Sequence, residues 1–284
     1  MKNLFRFASI ACMAASVVFV SCSDDKDEPV NPVPVPDVTE AVTPAQGNVF
    51  SAAIPNAIDG YQMTTNDKGQ VTSIKSTEQE ISIEYGTFSR AEYQAKATFR
   101  YNGQIEYEIY LQFNAQGFIA SALQVYTDDD EADDTWSFEY NAAGQMTGMH
   151  RSEGDENYVI TYTDGNITNV LRTEEDGDRS DYTISYTNET FPAPVVNTAN
   201  IMLFDESFDI DMDEMSMLYF AGLLGQGTKN LPMQISHVGY EGGDRYEYGR
   251  VFFWEFNSDN LPIKFWSQES GSSYNYDELE FSWK

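Results

Sequence analysis

The chain has 284 residues, of which 46 are Asp or Glu and 16 are Lys or Arg, giving a formal net charge of −30. A surface that acidic repels phosphate backbones and anionic lipid headgroups, which excludes nucleic acid as a partner. Tyr and Phe, at 18 each, stand out among the residue types and favour strands, while two cysteines are too few for a disulfide scaffold.

The chain opens on Lys2 and Arg6, followed by an uncharged apolar stretch from Ala8 to Val20. That stretch is too short to span a bilayer comfortably and has the layout of a secretory signal over residues 1–21. It ends in "FVSC", a small residue directly before Cys22, which resembles the lipobox of bacterial lipoproteins. The resemblance implies cleavage before Cys22 and acylation of its sulfur. A mature chain beginning at Cys22 holds no free thiol, since Cys12 leaves with the signal. "SDDKDEP" follows, a Ser plus acidic run that resembles the signal sending Bacteroidota-type lipoproteins to the outer face of the outer membrane. Next comes "PVNPVPVPD", whose alternating prolines fix φ and remove backbone donors, so an extended polyproline spacer is expected. Residues 22–38 thus read as a lipidated acidic and Pro-rich tether, and 39–284 as a single β domain with no internal linker.

Strands follow by alternation. "ISIEY" sets Ile81, Ile83 and Tyr85 on one face, "QIEYEIYLQF" sets Ile105, Tyr107, Ile109, Leu111 and Phe113 there, and "WSFEY" sets Trp136, Phe138 and Tyr140. "YVITY", "YTISY" and "LEFSW" repeat the pattern. One buried and one wetted face is the mark of an antiparallel sheet. Between the strands recurs Asn-x-x-Gly: Asn66 to Gly69, Asn114 to Gly117, Asn141 to Gly144, with Asn257 to Asn260 as a variant. Asn at the first position and a left-handed Gly at the fourth predict a type I turn plus bulge. Asn102-Gly103 and Asp164-Gly165 predict shorter hairpins.

The tight turns alternate with longer acidic loops at Asp128 to Asp134, Glu153 to Glu156, Glu174 to Asp178 and Glu241 to Asp244. In an up-and-down meander every second connection lies at the same end, so these loops should share one rim, with Asn102-Gly103 among them. "DMDEMSMLYFAGLLGQG" breaks the pattern and predicts one helix over 212–224, facing the sheet through Met215, Leu218, Tyr219 and Leu223. The expected fold is mainly β: an antiparallel up-and-down meander of roughly a dozen or more strands, barrel-like or strongly curved and open, with one short helix packed on it or plugging its mouth.

Chemistry is sparse. Both histidines, His150 and His237, fall in strands, no nucleophile elbow, phosphate loop or paired-His zinc motif occurs, and no catalytic or cofactor-binding residue is nominated. Asp209, Asp211 and Asp213 alternate like the start of a calcium loop, but Glu214 and Phe220 stand where Gly and a bidentate Glu belong. Calcium at the rim loops is the weaker alternative to solubilising charge. Trp136, Trp254 and Trp283 keep step with the apolar face; Trp266 does not and is the candidate exposed aromatic contact.

"LLGQGTKNLPMQI" (Leu223 to Ile235), the aromatic-Asn-x-x-Gly hairpins, the lipobox-acidic start and "WEFNSDNLPIKF" (Trp254 to Phe265) together resemble uncharacterised Bacteroidota surface lipoproteins whose domain of unknown function is described as porin-like. The resemblance implies a fold and a place, lipid-anchored at the outer-membrane surface, and no activity. The expected role is non-catalytic binding of a glycan or protein, or a structural one. The alternatives are a carboxylate-based hydrolase and a calcium-stabilised adhesin.

Overall fold

The computed structural model describes residues 44–284 apart from 87, 89–92 and 128–131. The signal, Cys22, the tether and part of the Asp128 to Asp134 loop lie outside the described residues. Residues Val42–Lys284 form one compact unit.

Sixteen strands follow one another among the described residues. They begin with β1 (Pro55–Ile58), β2 (Tyr61–Thr65), β3 (Val71–Lys75), β4 (Gln79–Tyr85) and β5 (Ala95–Tyr101). Next are β6 (Gln104–Phe113), β7 (Ile119–Tyr126), β8 (Asp134–Tyr140), β9 (Met146–Arg151), β10 (Glu156–Thr163) and β11 (Asn166–Thr173). The last are β12 (Arg179–Ser185), β13 (Gln234–Glu241), β14 (Asp244–Phe256), β15 (Pro262–Glu269) and β16 (Tyr276–Trp283). Each pairs antiparallel with its neighbours in sequence, and β1 pairs with β16 to close the barrel.

Alternation decides which face is buried. β8 buries Trp136 and Phe138 and exposes Thr135, Ser137 and Glu139; β16 buries Leu279 and Phe281 and exposes Glu278, Glu280 and Ser282. Ile105 departs from expectation. The bulge between Phe99 and Arg100 takes it out of step, and it is 40% exposed while Tyr107, Ile109 and Leu111 stay buried. Trp283 is half-buried, its indole N–H donating to the carbonyl of Pro262 at 2.7 Å.

All four Asn-x-x-Gly/Asn turns form. In the second strand pair joined this way, the amides of Gln116 and Phe118 donate to the Asn114 side-chain oxygen at 2.9 and 3.1 Å, and Gly117 N–H closes on the Asn114 carbonyl at 3.0 Å. The same bonds recur at Asn66, Asn141 and Asn257. A register shift follows in every case, at Thr64/Thr65, Gln112/Phe113, Glu139/Tyr140 and Glu255/Phe256, which is the bulge that such a turn requires.

A barrel of this strand number is too wide for its own side chains to fill. The chain fills it with the long connection between β12 and β13, over residues 186–233. Ile210, Met212, Met215, Met217, Leu218, Tyr219 and Leu223 of this connection are wholly buried. Its C-terminal part crosses the tight-turn end: Leu223 accepts from Ile119, Gln226 donates to Gly144 and Lys229 donates to Gly165, at 2.8 to 2.9 Å. The N-terminal helix α1 (Gln46–Val49) completes this closure, with Gln46 N–H on the Gly69 carbonyl at 3.1 Å and its side chain on the Phe220 carbonyl at 2.8 Å.

The helix expected over 212–224 is replaced by a 3-10 turn, Asp213–Tyr219, preceded by a short helix α2 (Phe204–Phe208). Two causes are visible. Asp213 has φ of +38°, outside a helix, and Gly222 turns at φ +81° where a Cβ would stand 3.0 Å from the Gln46 backbone. The residues expected to face the sheet do so, inside the barrel and in a tighter, irregular path.

Candidate binding site at the acidic mouth

The inward face of the wall changes character along the barrel axis. β9 runs from Met146 and Met149 to Arg151, β11 from Ile167 and Val170 to Arg172, and β14, read backwards, from Trp254 and Phe252 to Arg250, Tyr248 and Tyr246. The apolar half surrounds the plug and the polar half opens at the rim that carries the 153–155, 174–178 and 242–243 connections. Asp209, Asp211 and Asp213 of the plug arrive at this polar half. Arg250 binds Asp209 and, at 3.4 Å, Asp277. Arg151 binds Asp213, Glu153 and, at 2.6 Å, Asp134. Asp211 acts electrostatically on Glu156, the partner of Arg172. Asp209 and Asp213 therefore anchor the plug to arginines of the wall. Burial opposes the charge on Arg151, but Asp213, Asp134 and Glu153 outweigh it and raise its pKa above the ordinary value.

Beside these anchors, β11 to β14 line a half-open cavity of about 370 Å³ bordered by Arg172, Glu174, Asp178, Ser180, Tyr182, His237, Tyr240, Glu241, Tyr246 and Tyr248. Register explains the convergence: Tyr182 pairs with His237, and His237 with Tyr248, across three adjacent strands. The His237 ring stacks on Tyr182 at 4.4 Å and 14° and meets Tyr246 and Tyr248 at 5.1 and 4.4 Å. Tyr246 lies flat against Gly239, where a Cβ would come within 2.3 Å of the ring. Tyr248 donates its hydroxyl to Asp209 at 2.7 Å. Arg172 is shared by Glu156 at 2.5 Å and Glu174 at 3.1 Å. Burial, with Arg250 and Arg172 nearby, holds His237 below the usual histidine range against the pull of Asp209. Burial and Asp209 push the Tyr182 hydroxyl up to about 12.

Cys22 lies outside the described residues. Trp266 sits on the outer surface of the wall, half-buried, its ring stacked on Phe253 at 5.4 Å and 9° with the Lys264 ammonium 5.6 Å from its centroid. It does not join the mouth. His150 also faces out, 2.9 Å from Asp155. The tyrosines of the cavity escaped the sequence reading; their signal was the "RYEYGRVFFWEF" strand, whose inward face passes from Trp and Phe to Arg and Tyr. No group of three or more His, Cys, Asp or Glu side chains among the described residues is placed to hold a metal ion.

Two solved structures resemble this chain. A porin-like protein from Bacteroides uniformis aligns with a TM-score of 0.56 at 13% identity, over 79% of this chain and 90% of its own. A porin-like protein from Bacteroides vulgatus aligns with a TM-score of 0.53 at 12% identity, over 82% and 99%. Identities this low make the likeness one of fold. None of the curated proteins compared matches. The family model described as a domain of unknown function (DUF4595) with porin-like fold matches residues 63–261, most of the barrel, and the chain belongs to that family.

Proposed function

We propose that this protein is a lipid-anchored, non-catalytic binding protein of the outer-membrane surface that takes a glycan at its tyrosine-lined mouth. The cavity over β11 to β14 carries the reading. Its volume of about 370 Å³ lies at the small end of ligand sites, and it joins aromatic rings to carboxylates and a guanidinium. Sugars need both, rings for their apolar faces and charged groups for their hydroxyls.

Three further observations support it. The outward positions carry Glu84, Glu139, Glu255 and Glu280, where a bilayer-crossing strand needs an apolar lipid face. The plug occupies the lumen, which favours binding over conduction. Residues 46–49 join the barrel at the tight-turn end, so the preceding chain enters the described fold at the end opposite the mouth. Against hydrolysis, Glu156 and Glu174 both bind Arg172, and Asp134 and Asp213 both bind Arg151; such pairing suits fixed charge better than proton transfer.

A glycan screen on the full-length lipoprotein tests this. Tyr246→Ala and Tyr248→Ala should each weaken binding about tenfold, or about 1.4 kcal/mol, and the bound glycan should be recovered unshortened. Shortened glycan would establish the hydrolase instead, and a screen without a binder would sink the glycan reading. A chelator should leave the melting temperature unchanged; a drop would favour the calcium-stabilised adhesin.

A further inference from the structure

We infer that the group seated in the tyrosine cavity is a protonated amine carried by the glycan, with the His237 imidazole as its hydrogen-bond acceptor. The inference rests on the glycan reading and goes beyond it to the chemistry recognised.

His237 is the observation that asks for a ligand. It is 2% exposed and neither ring nitrogen has a hydrogen-bond partner, as is also true of Nε of Arg172, another lining residue. A buried polar atom left unpaired costs free energy, and His237 lines the cavity, so a donor that enters there relieves that cost. The imidazole is neutral at neutral pH, and a neutral ring offers one lone pair, which accepts from an N–H or O–H donor.

The surroundings select the donor's charge. Of the lining groups, Arg172 is the cation, and it is already held by Glu156 and Glu174. Asp178 and Glu241 line the same cavity and have no ion-pair partner among the described residues. Their field repels an anionic sugar and leaves a neutral one indifferent. An ammonium gains three ways: it donates to His237, faces the carboxylates, and lies over the electron-rich faces of Tyr246 or Tyr248. Those two tyrosines are 40% and 39% exposed, so their surfaces are open to it. The net charge of −30 steers such a ligand towards the mouth as well.

The experiment is equilibrium binding of the full-length protein to glucosamine oligomers with free amines, their N-acetylated counterparts, neutral glucose oligomers and oligolysine, at a pH where amines are charged. Free-amine oligomers should bind at least about tenfold tighter than the N-acetylated ones. That preference should vanish in the Asp178→Asn/Glu241→Gln double variant and in His237→Phe, while Tyr246→Ala weakens every oligosaccharide. His237 is buried, so His237→Gln, which keeps polar atoms, serves if the Phe variant does not fold. Equal binding of free-amine, N-acetylated and neutral oligomers, still sensitive to Tyr246→Ala, overturns the amine and leaves the glycan reading standing. Binding of none of the oligosaccharides overturns both. Oligolysine matching the glucosamine oligomers with the same variant sensitivities overturns the glycan as the amine's source.

Discussion

Asn141 and Gly144 divide the work of one hairpin. The Asn oxygen accepts from the amides of Ala143 and Gln145, and the Gly takes φ of +79°, which an L side chain adopts only with strain. Both requirements are local, so the motif was readable without coordinates. What sequence does not disclose is the turn's surroundings. A Cβ on Gly144 would stand 2.7 Å from the Phe118 ring and 3.3 Å from Gln226 of the plug, whereas one on Gly69, at φ +74°, meets nothing within 4 Å. Gly69→Ala should therefore cost only the backbone strain, about 1 kcal/mol, and Gly144→Ala about 1–3 kcal/mol more through overpacking. Urea denaturation of the two variants measures the gap; equal losses would show that Phe118 and Gln226 simply move aside.

At the scale of elements, the plug shows tertiary contacts overriding a local code. Asp211 and Glu214 are spaced as a capping box, and the run after them is apolar enough for a helix. Instead the Asp213 amide donates to the Asp211 carboxylate at 3.1 Å, the Asp213 carboxylate goes to Arg151, and the helical path is broken at its first residue. Arg151 belongs to a strand about sixty positions earlier, so no periodicity could announce the pair. The pair also matters energetically. Arg151 and Asp134 side chains are 7% and 3% exposed, and Arg151→Met leaves a buried carboxylate without its cation, a loss of about 3–5 kcal/mol. Lys75→Ala, at the exposed pair with Glu80, should cost at most about 1 kcal/mol. Thermal or urea unfolding of both variants decides it; a mild Arg151 variant would mean that water reaches Asp134.

Over the whole molecule, charge sets how stability responds to pH. Glu206 of α2 faces the polar half of the barrel, where burial and the neighbouring Asp205 and Asp277 push its carboxyl up to about 8 despite Arg250. Between the ordinary value of 4.5 and 8 the folded chain binds more protons than the unfolded one, so stability falls as pH rises through that window. Asp205, pushed up to about 6, acts in the same sense lower down, its effect reduced because the side chain is exposed to solvent. His237, depressed from 6.5, acts oppositely, but only below 6.5. The stretch from pH 6.5 to 8 isolates Glu206: the melting temperature should decline across it, and Glu206→Gln should flatten the decline. An unchanged slope in that variant would assign the effect to the general repulsion of a chain at −30.

By itself the sequence determined the parts whose causes lie within a few residues. These are the alternation that buries Trp136 and Phe138, the four Asn-led turns, and hence the parity that collects the acidic connections on one rim. Closure of β1 on β16, the burial of the apolar residues between Ile210 and Leu223 inside the barrel, and the meeting of Tyr182, His237, Tyr246 and Tyr248 were decided only by the tertiary structure. Each depends on hydrogen-bonded register between strands distant in the chain, and strand alternation says which face a residue takes without saying what stands opposite it.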